Sequence, residues 1–94
     1  MIGMQLKKYF TYIARCADNS LYTGITNNVT AREKKHNAGS GARYTRSRRP
    51  VKIIYSEEYL TRSDAAKREA QLKGWTKIKK ENLVHIGNPK KSTL

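Results

Sequence analysis

The chain predicts an α+β domain: a three-stranded antiparallel sheet flanked by helices, in the order β-β-α-β-α-α. Three observations point there. Two runs rich in aromatic and β-branched residues, Tyr9 to Cys16 and Leu21 to Ile25, are separated only by the turn-forming Ala17-Asp18-Asn19-Ser20. A third such run, Val51 to Tyr59, is entered just after Pro50, where proline is tolerated. The remaining segments open on Asn, Thr or Ser and close on Gly, the punctuation of helices. Ninety-four residues can close one small core, so residues 9–84 are read as a single domain. Residues 1–8 are read as an N-terminal extension and 85–94 as a flexible basic tail.

In order along the chain, the first two runs form a hairpin, with Tyr12 and Tyr22 close if they share a face. Asn27 or Asn28 caps a helix through Val29 to His36, and Gly39 ends it. Residues 38–50 show no hydrophobic period and carry four arginines, so they are expected to be a loop. After the third strand, Thr61 or Ser63 opens a helix from about Asp64 to Lys73, stopped by Gly74. Thr76 caps a last helix over Lys77 to Val84, with Trp75 as a plug between the two.

The formal net charge of +13, from 20 Lys and Arg against 7 Asp and Glu, exceeds what solubility needs and favours a polyanionic partner. DNA, RNA, a ribosomal surface and anionic lipid would all be attracted. No run reaches transmembrane length, and Met1 to Lys8 lacks the apolar core of a signal peptide, so a soluble cytoplasmic protein is expected, with no membrane partner. Cys16 is the sole cysteine, which excludes an intrachain disulfide and a CxxC metal site; ordinary burial explains it better than a reactive thiol.

Cutting a phosphodiester needs a group to activate water, a cation for the charge that gathers on the phosphoryl oxygens, and help for the leaving oxygen. Tyr22 fits the first role if a cation stabilises its phenolate, since a free tyrosine has a pKa of about 10. Arg32 fits the second, because its planar fork grips phosphate oxygens and stays charged. Glu69 shares a helical stripe with Ala65 and Leu72. A carboxylate there is costly unless it has a partner, a Mg²⁺ ion completed by water and phosphate or an ion pair with Arg32 or Lys73, or lies exposed at the stripe's edge. His36, four residues after Arg32, is either an acid-base group or a histidine favoured by the helix dipole. Tyr12 is promoted from ordinary core by its nearness to Tyr22. Gly24 either lets backbone approach a substrate or marks a bulge or turn.

From Arg32 to Lys52 there are eight Lys or Arg and one acid, a density suited to tracking a phosphate backbone. Arg43, Tyr44, Arg46, Arg48 and Arg49 are the candidate nucleic-acid contacts there, Tyr44 as a stacking or backbone-contact residue.

Together these residues resemble the GIY-YIG nuclease superfamily, and within it the small stand-alone UPF0213 or YhbQ-like branch. The first signature is kept in degenerate form as Phe10-Thr11-Tyr12 and the second as Tyr22-Thr23-Gly24, with Arg32 ten residues after Tyr22 and Glu69 on the later helix. Arg15 to Thr26, His36-Asn37, Gly41 to Thr45 and Arg48 to Val51 are similar to that branch's wording, and the likeness runs from about Tyr9 to Val84. The resemblance implies a metal-dependent DNA endonuclease of the GIY-YIG fold, with Mg²⁺ or alternatively Mn²⁺ as cofactor and a setting in repair or recombination. It implies Tyr22 as the activating base, Tyr12 as its support, Arg32 on the phosphoryl charge, Glu69 on the metal and His36 as an auxiliary acid-base group. Where the repair-nuclease branch has a lysine after this glycine, the chain has Ile25. Two other readings stay open: a noncatalytic nucleic-acid-binding module, with RNA as an alternative ligand to DNA, and a basic scaffold for a protein partner.

Overall fold

The computed structural model describes residues 7–87. Strands β1 (Tyr9–Arg15), β2 (Leu21–Thr26) and β3 (Lys52–Tyr59) form one antiparallel sheet in the order β2-β1-β3, so the strand richest in buried residues lies at its centre. The hairpin turn is closed by Cys16 N–H donating to Ser20 O at 2.9 Å, with Asn19 at φ 71°, a conformation that Asn tolerates better than most residues. In the β1–β2 register Tyr12 faces Gly24 and Ala14 faces Tyr22, which puts these four residues on one face of the sheet.

Helices α1 (Val29–Asn37), α2 (Arg43–Arg46), α3 (Arg62–Lys73) and α4 (Lys77–Ile86) complete the fold. Two core clusters result. Tyr12, Ala14, Cys16 and Val51 pack together with Tyr22 and Ile53, while Ile13, Tyr55 and Leu72 gather Leu21, Ile54, Trp75, Leu83 and Val84. Ile13 and Leu72 are fully buried, each contributing roughly 1.5–3 kcal/mol. Thr11 Oγ1 donates to the Ala65 carbonyl at 2.8 Å, and Arg68 reaches Glu57 with Nε at 2.8 Å and Nη2 at 3.0 Å, fastening α3 to β1 and β3. Trp75 is half-buried against the second cluster, with the Lys79 ammonium 4.2 Å from its ring centre.

The caps are Asn28, Thr61 and Thr76, whose side chains accept from Ala31, Asp64 and Lys79 backbone N–H groups. The expected loop over 38–50 is not wholly a loop: α2 makes one turn inside it, too short for a helical period to show. The last helix also runs beyond Val84, so His85 and Ile86 are helical rather than part of a tail. The rest of the expected tail, 88–94, and residues 1–6 of the expected extension lie outside the described residues. Among those described, no helix is long and apolar enough to cross a membrane.

Candidate active site

The site begins at Gly24. A side chain there would meet the Tyr12 phenol, with an added Cβ 2.7 Å from Tyr12 Oη. The Tyr12 ring fills the place of a side chain at Gly24 and explains why none is present, while Gly24 itself still lines the cavity described below. Tyr12, fully buried, is 2.7 Å from His36 Nε2, and His36 Nδ1 is 2.8 Å from Thr45 Oγ1. Thr45 Oγ1 donates to the Ala42 carbonyl at 3.0 Å. Its oxygen is thus left to accept from His36 Nδ1–H, which leaves the Nε2 lone pair to accept from the Tyr12 hydroxyl.

Burial, first, and then the charge of Arg32 push His36 below its ordinary pKa, so it sits as neutral imidazole. That disfavours the dipole-stabilised cation as its role. Burial pushes Tyr12 up to about 12, opposed in part by hydrogen bonding to Arg32. Tyr12 therefore keeps its proton. Its ring centre lies 6.3 Å from that of Tyr22, and Tyr22 lies 5.5 Å from His36.

Tyr22, Gly24, Arg32 and Glu69 line a common cavity of about 370 Å³, joined by Arg62, Thr26 and others. Arg32 is carried by α1 and Glu69 by α3, so the cavity joins elements from separate parts of the chain beside β2. The Arg32 guanidinium donates to the Ile25 carbonyl at 3.3 Å. Glu69 makes its ion pair with Lys73, at 3.2 Å, rather than with Arg32. A second cavity of about 230 Å³ adjoins, lined by Tyr22, Arg32, His36, Lys35 and the loop around Gly41.

Whether this donor set suits a metal follows from its chemistry. Among the described residues no three His, Cys, Asp or Glu side chains gather into a cage, and Glu69 is the single acid lining the larger cavity. A magnesium site with one carboxylate, completed by water and phosphate oxygens, fits that arrangement. The exposed lysine that holds Glu69 leaves lone pairs on its carboxylate unused.

The expected nucleic-acid contacts separate into two kinds. Arg43 and Arg46 are exposed, and their guanidinium groups have no partner among the described residues. Arg48 instead pairs with Asp18 at 3.0 Å, donates to the Tyr44 carbonyl at 2.8 Å and lies 3.9 Å above the Tyr44 ring. Arg49 donates to the carbonyls of Arg46 and Asn37. Both are braces of the loop. Tyr44, expected as a stacking or backbone-contact residue, stacks on Tyr22 at 6.0 Å and 21°.

Sequence reasoning missed Thr45 and Gly41. Thr45 orients His36, and a side chain on Gly41 would collide with the His36 ring. Neither announces itself by spacing, because both act through a loop. It also missed Arg62, a second arginine on the larger cavity. Cys16 is buried at 4% exposure and burial raises its thiol pKa, in keeping with a packing role.

Residues 8–82 match the GIY-YIG catalytic domain. A UPF0213 protein of Staphylococcus aureus strain Mu3 is 49% identical over 79 residues, covering 84% of this chain and 96% of that one. Two solution NMR structures share the fold. A UPF0213 protein from Bacillus halodurans has a TM-score of 0.55 at 38% identity, with 84% of each chain covered. A protein from E. faecalis has a TM-score of 0.57 at 39% identity, with 85% of each covered. The domain suggests a nuclease-type function and a nucleic-acid substrate. With the hairpin tyrosines, the α1 arginine and the α3 glutamate set around one cavity, and with these relatives covering most of its length, the chain belongs to the GIY-YIG family and, within it, to the UPF0213 proteins.

Proposed function

We propose that this protein is a metal-dependent DNA endonuclease that hydrolyses phosphodiester bonds, acting in repair or recombination. The observation that carries the reading is the shared cavity of Tyr22, Arg32 and Glu69, backed by the Tyr12–His36 hydrogen bond. A phosphate entering it meets two arginines, Arg32 and Arg62, whose forks suit its oxygens. Tyr22, acting as phenolate with Arg32 as the cation beside it, takes the proton from the attacking water, whose oxygen bonds to phosphorus as the bond to the leaving oxygen breaks. Arg32 then offsets the charge that develops on the phosphoryl oxygens. Tyr12 is a positioning residue: its proton is committed to His36 Nε2 and its ring fills the space over Gly24. Glu69 would hold Mg²⁺, or Mn²⁺ as an alternative, which when bound supplies Lewis-acid charge to the phosphate.

The test is cleavage of labelled single-stranded, duplex and branched DNA by wild type and Glu69→Gln, with Mg²⁺ and with chelator. Metal-dependent cutting that the variant loses is expected. A folded wild type that binds these substrates and cuts none would reject the enzyme and leave a binding module. Arg32→Ala should lower the cleavage rate by roughly 10²–10³-fold while changing affinity only a few-fold. Equal losses in rate and affinity would remove Arg32 from the transition state.

A further inference from the structure

Tyr22 has another neighbour that this mechanism does not use. Tyr22 also lines a groove of about 250 Å³, together with Leu21, Thr23, Tyr44, Lys73 and Lys80. The groove brings a lysine from α3 and a lysine from α4 against the β2 edge. Lys80 is half-buried and has no carboxylate partner among the described residues. Its pKa is lowered by burial first and by the charge of Lys73 second, so the two ammonium groups repel each other across a partly desolvated space. Thr23 Oγ1 is the buried side-chain polar atom that lacks a hydrogen-bond partner among the described residues, and Thr23 lines the same groove. Lys80 without a carboxylate partner, a second lysine, Lys73, whose ammonium is shared with Glu69, and an apolar wall of Leu21 and Tyr44 match an anion attached to a ring-bearing body. Tyr22 lines both this groove and the candidate active-site cavity.

We infer that this groove is a second phosphodiester subsite, holding the phosphate next to the one cut between Lys73 and Lys80, with its sugar against Leu21 and Tyr44. The inference rests on the nuclease reading for the words "next to the one cut"; the phosphodiester site itself does not. In this arrangement the two subsites fix the direction in which a strand runs past Tyr22, which one phosphate contact cannot do.

The experiment is a titration of ¹⁵N-labelled full chain with 5′-phosphorylated thymidine dinucleotide in metal-free buffer, followed by amide chemical shifts. Saturable shifts at Leu21, Thr23 and Lys80 are expected. Lys80→Gln should weaken the affinity about tenfold. Lys67→Gln, which removes the same charge from an exposed position of α3, should stay within about twofold of wild type. A Lys80→Gln spectrum like that of wild type away from the groove establishes that the variant is folded. Shifts confined to residues 43–49, no groove shift at all, or equal losses in the two lysine variants would each overturn the subsite. Lys80-dependent binding in a protein that cuts no DNA would uphold the phosphodiester site while rejecting the nuclease, whereas intact cleavage with Lys80-independent binding would reject the groove alone.

Discussion

At Gly24 an added Cβ would lie 2.7 Å from Tyr12 Oη and 2.8 Å from its Cζ, closer than folded proteins permit. Gly24→Ala should therefore cost roughly 1–3 kcal/mol in urea denaturation and push Tyr12 from His36. The buried histidine makes a separate prediction. Its folded pKa lies below the ordinary 6.5, so the unfolded chain binds more protons as pH falls, and stability that is complete above that value declines below it. The urea midpoint should fall from about pH 7 to about pH 5 in wild type and fall less in His36→Gln. Identical slopes would mean that the imidazole is not held neutral. Tyr22, Arg32 and Glu69 stood out in the sequence through their side-chain chemistry and the resemblance to the GIY-YIG signatures, and the fold sets them on one cavity. Thr45 did not, since its part is a contact to a side chain nine residues away across a loop.

Helix α1 shows why elements differ in legibility. Its buried residue is His36, not a hydrophobic stripe. It is docked by polar contacts: Asn37 accepts from Val51 N–H at 2.7 Å and donates to Val51 O at 2.8 Å, while Glu33 accepts from Ile53 N–H at 2.7 Å. Apolar periodicity could not find such a helix; its cap and closing glycine did. Strands β1 and β3 were plain because they bury aromatic and β-branched residues, whereas the single turn of α2 is held by loop contacts that no pattern encodes. Asn37→Ala should cost about 1–2 kcal/mol. The same change should speed hydrogen exchange at the Val51 amide, and an unchanged exchange rate there would remove Asn37 as the clasp between α1 and β3.

For the molecule as a whole, the charge of +13 sets attraction and the placement of that charge sets contact. The guanidinium groups of Arg43 and Arg46 have no partner among the described residues, so replacing both with Ala should reduce the salt slope of DNA affinity by about two, with little change in stability. Arg48→Ala should act the other way, destabilising the loop it ties to Asp18 and Tyr44. Equal effects from the two changes would mean that the basic loop acts only as a diffuse cloud. The sheet order has one more consequence: among the described residues β2 has a strand on one side only. A bare sheet edge is a template on which another chain can add a strand, the first step of aggregation. Arg32, Arg62, Lys73 and Lys80 all line spaces beside it. A second copy approaching edge to edge brings the same cations against them. The charge suited to a phosphate strand thus also opposes pairing of two copies through the β2 edge, one of the two edges of the sheet.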